Sequence, residues 1–500
     1  MPLAGEVKER HDKGSTLLGR GLLVAARDEF TRLLALVEPS QDSAMIIPAL
    51  NALTKVAVSR GDQEAALAYL QKGLTLVEAP GASPSDKLRI YLNLIIVYTE
   101  LGKLEEARQF LDKVEAKDLD REPRLGILYW LNKSVLHWRR QEWVPMRQAA
   151  DKAYHGSVAA GNVSHSVRAL TNRGIAHLEL GAYRLAERDL MSTLRMEDQL
   201  DASELAYSYA ELGRLHFQLG DYSASLDAGR RALGALLTDV AFLDKEEVAR
   251  VSRLFGSIFS SLGQRNLALK YLNRSAAYFS QMGLRAEWQR STEAIGQVLS
   301  GPVRPARSQL LSEVHQLDFL TAVLDLTDDL ESVDPYLRGH SERVALLAKL
   351  LGEESGLSAE ALTTLSYAAR LHDVGMVAID SELLHRDGPL TDSERRRVAL
   401  HTEIGEEMLR PYGLPAEGLK AIRHHHEHFD GSGTPEGLQG EAIPLLARLV
   451  TVTDVYDALT SERVYRGAMN HAGAVQELRN MAGRELDPVL VERFISLHNI

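Results

Sequence analysis

The sequence predicts an all-α chain in two parts: an N-terminal stack of helical hairpins, then an all-helical C-terminal domain. Two observations carry this. A glycine-centred pattern returns at steps of 40, 41, 39, 40, 39 and 43 residues through the first three-fifths of the chain, and eight of the 17 histidines fall between His340 and His428. Five hundred residues exceed one ordinary core, so more than one domain is expected.

The repeat is legible unit by unit. A glycine is followed by a small residue five places on and a large apolar residue nine places on. Copies begin at Gly21 (Ala26, Phe30), Gly61 (Ala66, Leu70), Gly102 (Ala107, Leu111), Gly181, Gly220 and Gly263, and a degenerate copy begins at Gln141. Apolar residues at helical spacing precede each glycine, which ends the first helix in a conformation that side chains resist. The small residue lets the second helix approach closely, as do Gly174, Gly213 and Gly256, seven places before their turn glycines. One hairpin cannot bury its own apolar stripe, so neighbours must stack. Pro145 falls inside the second helix of the Gln141 copy, where an irregularity over 141–155 is expected. Trp130, Trp138, Trp143, Tyr183 and Tyr222 are expected to pack in the core rather than line a ligand pocket. The array resembles the tetratricopeptide repeat over roughly residues 10–300, with a longer period. The resemblance implies a scaffold that docks a protein, a peptide or a second copy of the chain.

The composition narrows the remaining classes. The chain is 45% apolar and 25% charged, as in an ordinary globular protein. Its net charge of −12 (57 basic against 69 acidic residues) argues against broad binding to a nucleic-acid polymer or an anionic membrane. There are no cysteines, so disulfides, thiolate metal sites and cysteine nucleophiles are excluded. No apolar run reaches the ~18–20 residues that span a bilayer, and the polar start lacks an apolar signal core, so a cytoplasmic location is expected. No GxxxxGK[ST] loop is present, which argues against ATP-driven chemistry.

The boundary is expected at 300–311, where Pro302 and Pro305 break the helical pattern; the repeats then cover 10–299 and the second domain 312–500. In that domain His372 and Asp373 end an apolar helical stretch. Of His424, His425 and His426, two adjacent rings can reach one metal only at a helix end. The following 15 residues, Asp430 to Pro444, hold four glycines and two prolines and form a constrained loop. Asp454 lies within a helix that is otherwise apolar, where a carboxylate must be paired or metal-bound. His340 and His401 each adjoin an apolar helical face. Taken singly, each is more often a satisfied core or surface residue.

Together these segments are identifiable. "DPYLRGHSERVA", "LHDVGMV", "LTDSERRRVALHTEIGEEML", "HHEHFDGSGTPEGLQGEAIPLLARLVTVTDVYDALTSERVYR" and "LDPVLVERF" resemble, in order and spacing, the HD-GYP branch of the HD-domain metal phosphohydrolases. The resemblance implies a phosphodiesterase that opens cyclic di-GMP or a related cyclic dinucleotide. It implies that His340, His372 and Asp454 hold one ion, that His401, His425 and His426 hold a second, and that Asp373 bridges them, with His372 and Asp373 central to catalysis. Tyr336 stands where some members bind a third metal through Glu, so two divalent ions are expected; the mixed His/carboxylate shell suits iron or manganese. Arg463, Arg466 and Thr434 fall at substrate-contacting positions.

Two departures stand out. Met376 replaces a lysine of the family motif, and Thr434 replaces its tyrosine. They leave open two alternatives: a metal phosphohydrolase of another nucleotide, or a signalling scaffold that binds metal or nucleotide and a partner without turnover. A short hairpin near 376–391 is the most β-structure expected.

Overall fold

A computed structural model describes residues 2–79, 83–238, 244–301, 323, 325–327, 339–380, 383, 391–461 and 467–498. Among these residues the chain is helical and no strand occurs; isolated bridges join Asp430 to Gln439 and Ala482 to Leu486. Residues 374–378 form a short 3-10 helix. Most of 381–390, the rest of the segment that left room for a hairpin, lies outside the described residues, as do Tyr336, Arg463, Arg466 and the linker from 302. No described helix is long and apolar enough to cross a membrane.

The repeat pattern works through its turns. After helix Val163–Glu179, Gly181 adopts φ +71°; its N–H reaches the Leu178 carbonyl at 3.0 Å, and the Ala182 N–H reaches that of His177 at 2.8 Å. These paired bonds satisfy carbonyls that the helix end leaves open. The same pair recurs at Gly21, Gly61, Gly102, Gly220 and Gly263. It also recurs at Gln141, which takes φ +59° although it is not glycine and bonds to Trp138 at 2.9 Å. The irregularity expected over 141–155 does not occur. Helix Trp143–Ala159 is continuous because Pro145 sits in its first turn, where an N–H has no partner within the helix.

The hairpins of Ser43–Ser59 with Gln63–Val77, Pro123–Arg139 with Trp143–Ala159, Ala202–Gln218 with Tyr222–Thr238 and Lys245–Ser261 with Arg265–Gln281 each pack internally and against their neighbours. Ala66, Ala107, Ala186 and Ala268, the small residues of the pattern, are fully buried. The copy at Gly220 departs from the pattern, since Gly229 stands where a large residue is expected. A Cβ there would lie 2.7 Å from the Phe255 ring, so a neighbouring helix fills the space instead. Trp130, Trp138, Trp143 and Tyr183 pack into the apolar clusters, as expected. Trp138 also lies under the Arg139 and Arg250 guanidinium groups, at 4.6 and 5.1 Å.

The contacts divide the chain into two units, Thr31–Glu313 and a second formed by Met1–Phe30 with Val314–Ile500. Residues 10–30, expected with the repeats, therefore group with the C-terminal domain. In that second unit, helix His340–Glu354 packs on Ala359–Leu371 and on Leu445–Thr460; Ala416–His424 packs on Ala359–Leu371, His401–Leu409 and Leu445–Thr460. Val344, Ala348, Leu365, Ala368, Ala421, Ile422, Leu449 and Val450 are the buried residues at these faces.

Candidate metal centre

Helix ends set this site. His340 is the first residue of its helix, His372 follows the last residue of Ala359–Leu371, His401 opens His401–Leu409, and His425 and His426 follow the end of Ala416–His424. At helix ends, backbone carbonyls and ring nitrogens are free to meet. His372 Nδ1 donates to the Ala369 carbonyl (2.8 Å), His401 Nδ1 to that of Val398 (2.7 Å) and His425 Nδ1 to that of Ile422 (2.7 Å). Each bond fixes the tautomer and turns the Nε2 lone pair toward a common point. His340 achieves the same with a carboxylate: its Nδ1 lies 2.8 Å from Asp457 Oδ2.

That common point is Asp373. Its Oδ1 lies 3.3 Å from His401 Nε2 and 3.6 Å from His425 Nε2; its Oδ2 lies 3.4 Å from His372 Nε2 and 3.8 Å from His340 Nε2. Asp454 closes one side, with Oδ1 3.5 Å from His340 Nε2 and 3.9 Å from His372 Nε2. The His426 ring lies 5.0 Å from that of His401 and 4.2 Å from that of His425. Two groups result, each with its ligand atoms within 4.8 Å of one another: Asp373, His401, His425 and His426, and His340, His372 and Asp373. All seven residues singled out from the sequence thus converge.

The donor set fits divalent metal. His372 Nε2 is buried without a hydrogen-bond partner, which is costly unless something accepts its lone pair. Burial works against charge on Asp373, yet His372, with His401 and His425, holds its carboxyl well below the usual range. Burial lowers His425, and lowers His426 well below its ordinary value, which favours the neutral, ligating form. Burial acts the same way on His340, but Asp457, Asp454 and Asp373 outweigh it and raise that imidazole.

Two glycines permit the close approach. A Cβ on Gly375 would fall 2.0 Å from the His401 carbonyl oxygen, and one on Gly433 would fall 2.1 Å from the His428 nitrogen. The first lets the turn after Asp373 lie against the start of the His401 helix. The second lets the loop fold back under the histidines.

Several residues here escaped the sequence reading. Asp457, three residues after Asp454 and so on the same helix face, braces His340 and accepts from Arg343 at 2.7 and 3.0 Å. That spacing was the available signal. Glu427 is buried and accepts the Glu436 and Leu438 amides at 2.7 and 3.1 Å, anchoring the glycine-rich loop. Arg370 and Glu342 form a buried pair at 3.2 Å. His424, the first of the three consecutive histidines, turns away toward Glu427, 3.6 Å distant. Thr434 is exposed, and its amide donates to the His426 carbonyl at 3.1 Å. Met376 lies in the turn beyond Asp373, half-buried.

Residues 326–490 match the family model described as an HD domain. This part of the chain is an HD domain. With it the chain is 42% identical over 157 residues to a cyclic di-GMP phosphodiesterase response regulator of Xanthomonas campestris pv. campestris, covering 31% of this chain and 41% of that protein. It is 31% identical over 199 residues to a 3'3'-cGAMP-specific phosphodiesterase of Vibrio cholerae serotype O1, covering 40% and 42%. The chain thus spans less than half the length of these two curated relatives. A tetratricopeptide repeat protein of Parabacteroides merdae is similar in structure at a TM-score of 0.37 and 18% identity, over 59% of this chain and 100% of that one. One chain thus carries a His/Asp cluster able to hold metal, within the part that matches an HD domain, and a preceding stack of helical hairpins.

Proposed function

We propose that the HD domain is a dinuclear-metal phosphodiesterase that hydrolyses a cyclic dinucleotide. The observation that carries this is the convergence of four Nε2 atoms, from His340, His372, His401 and His425, within 3.3–3.8 Å of the two oxygens of one carboxylate, Asp373. In this reading His340, His372 and Asp454 would hold one ion and His401, His425 and His426 the other, with Asp373 shared between the two groups. Iron or manganese suits the mixed set. When bound, two such ions supply activated water and neutralise charge on a phosphoryl group.

The chain's own residues prepare that chemistry. Four Nδ1–H groups are committed to backbone carbonyls or to Asp457, so the rings meet metal already oriented. Asp373 stays anionic at neutral pH. Asp454 (18%), Asp373 (12%) and His426 are partly open, whereas His372 and His425 are sealed at 1% and 0%. Substrate therefore approaches over Asp373, Asp454 and His426. Arg463 and Arg466, just beyond helix Leu445–Thr460, suit the phosphates or guanine as bidentate donors, and Thr434 borders His426. The relatives' named substrates, cyclic di-GMP and 3'3'-cGAMP, are the ones to try first. The repeat array docks a protein, a peptide or a second copy, and through it regulates the hydrolase.

Met376 and Thr434 favour a second reading, in which metal binds but neither dinucleotide is turned over. One assay separates the two: wild type and Asp373→Ala incubated with Mn²⁺ or Fe²⁺ and each dinucleotide. Turnover by the wild type, lost in Asp373→Ala, is expected. Metal binding with no hydrolysis of either substrate overturns the first reading in favour of the second.

A further inference from the structure

The segment that the contacts assign to the metal unit from the far end of the chain, residues 1–30, is built to hold that unit. Helix Leu23–Val37 buries Ala25, Ala26 and Phe30. On it sits Asp28, whose side chain is only 15% exposed. Asp28 Oδ2 accepts the backbone N–H of His471 at 2.8 Å. His471 is the first residue of helix His471–Met481, whose cap, Asn470, serves the amide of Gly473 instead. A carboxylate at a helix N-terminus meets both an open amide and the positive end of the helix dipole. Two further contacts fix the segment: Arg20 Nη1 donates to the Leu497 carbonyl at 3.2 Å, and Leu346, on the His340 helix, lies over Gly21.

From His471 the path leads inward. Its Nδ1 lies 2.9 Å from the Tyr456 hydroxyl. Tyr456 is 2% exposed and sits on helix Leu445–Thr460 between Asp454 and Asp457. Burial and then the nearby Asp28 charge raise the Tyr456 hydroxyl, so Asp28 is felt at that ring.

We propose that Asp28 is a positioning residue for the metal centre: it fixes His471, which through Tyr456 fixes the rotation of the helix that presents Asp454 to metal and Asp457 to His340. This rests on the metal-centre reading above.

The test uses the full chain and Mn²⁺ alone. Calorimetric titration gives affinity, and thermal unfolding of the metal-free protein gives stability, for wild type, Asp28→Ala, Asp28→Asn, Tyr456→Phe and the double variant Asp28→Ala/Tyr456→Phe. Asp28→Ala is expected to weaken Mn²⁺ binding about two- to thirtyfold. Asp28→Asn, which keeps an acceptor oxygen, recovers most of that loss. In the Tyr456→Phe background the Asp28→Ala effect shrinks, because the hydroxyl that carries it is gone. A lowered unfolding temperature with unchanged Mn²⁺ affinity overturns the proposal and leaves Asp28 a purely structural contact. If Asp28→Ala does not fold, Tyr456→Phe decides alone: weakened binding supports the proposal and unchanged binding overturns it. Wild type that binds no Mn²⁺ defeats the metal centre itself and the positioning role with it. Wild type that binds, with variants that match it, defeats only the positioning role.

Discussion

Asp457 grips His340 from behind: its Oδ2 lies 2.8 Å from His340 Nδ1 while Arg343 holds both of its oxygens, at 2.7 and 3.0 Å. Burial opposes charge on Asp457, but the His340 hydrogen bond and the Arg343 charge keep its carboxyl far below the usual range. A ligating histidine braced in this way is oriented and made more basic at its other nitrogen. Asp457→Asn preserves shape but removes the charge and permits the wrong ring orientation. Metal affinity should fall about 10–100-fold, read by Mn²⁺ titration. An affinity within twofold of wild type would show that His340 needs no brace.

Gly375 makes a separate prediction. A Cβ there collides with the His401 carbonyl at 2.0 Å and with the Gly405 nitrogen at 2.8 Å. These are backbone atoms, so no side chain can swing aside. Gly375→Ala must push the His401 helix away from Asp373. The expected cost is about 1–3 kcal/mol of stability, with loss of the ion proposed for His401, His425 and His426. Metal content by elemental analysis should drop toward one ion per chain. Two ions retained would rule out the displacement.

The repeat spacing was legible because a turn glycine every 40 residues or so is written in local pattern and needs no knowledge of distant contacts. The seven converging His and Asp residues were not legible singly; they stood out only through the resemblance of five whole segments, in order and spacing, to a known family. Asp457 was half legible, since its three-residue offset from Asp454 places both on one helix face, but its partner His340 lies 117 residues away. Glu427 reads as one more charge after three histidines until the loop folds over it and delivers two amides. Asp28 was not legible at all. It lies within the first repeat-like copy, and its partner His471 is 443 residues distant. Gln141 shows the converse: the pattern around it held its turn in place although the glycine was gone.

That turn gives a stability prediction. Gln141 sits at φ +59°, a conformation that a Cβ resists and that glycine adopts freely. The turn already makes both bonds of the motif, from the Gln141 and Glu142 N–H groups, so only the residue type is at odds with the geometry. Gln141→Gly should stabilise the repeat unit by roughly 0.5–1 kcal/mol, offset in part by the greater freedom of glycine in the unfolded chain. Urea unfolding followed by tryptophan fluorescence near Trp138 and Trp143 reads the change. A lower midpoint would mean that the Gln141 side chain contributes more than its strain costs.

The two departures from the family motif suggest a gain-of-function test. Met376 and Thr434 supply neither the charge nor the ring that the family motif places there. Restoring both in Met376→Lys/Thr434→Tyr leaves all seven metal-site residues untouched. A preorganised donor in such a site is worth on the order of 10²–10³ in rate. The double variant should raise kcat/KM for cyclic di-GMP by at least tenfold, with unchanged metal content. If kcat/KM stays flat or falls, this chain's pocket is shaped for a different phosphoester.

Acid sensitivity should trace to His498. Its ring stacks on His471 at 4.4 Å and packs beside Phe494 and Tyr456. Burial first, and then the His471 ring, push its pKa down from 6.5 to about 3, so the folded protein keeps it neutral. The unfolded chain takes up a proton near pH 6.5, and the folded chain does so only near 3. The unfolded state thus binds more protons between these values, and stability falls as pH drops through that window. At pH 5 the loss from this one group is about 2 kcal/mol, from roughly 1.5 pH units at 1.36 kcal/mol each. His498→Phe keeps the ring but cannot titrate. It loses the Nδ1–H bond to the Phe494 carbonyl (2.9 Å), so its absolute stability should be lower. The decisive quantity is the slope: between pH 6.5 and 5, urea midpoints of His498→Phe should fall less steeply than those of wild type. Parallel slopes would place the acid-labile proton elsewhere, on groups such as His425 and His426, which burial also lowers; the depressed carboxyl of Asp457 has the same sign but acts only below this window.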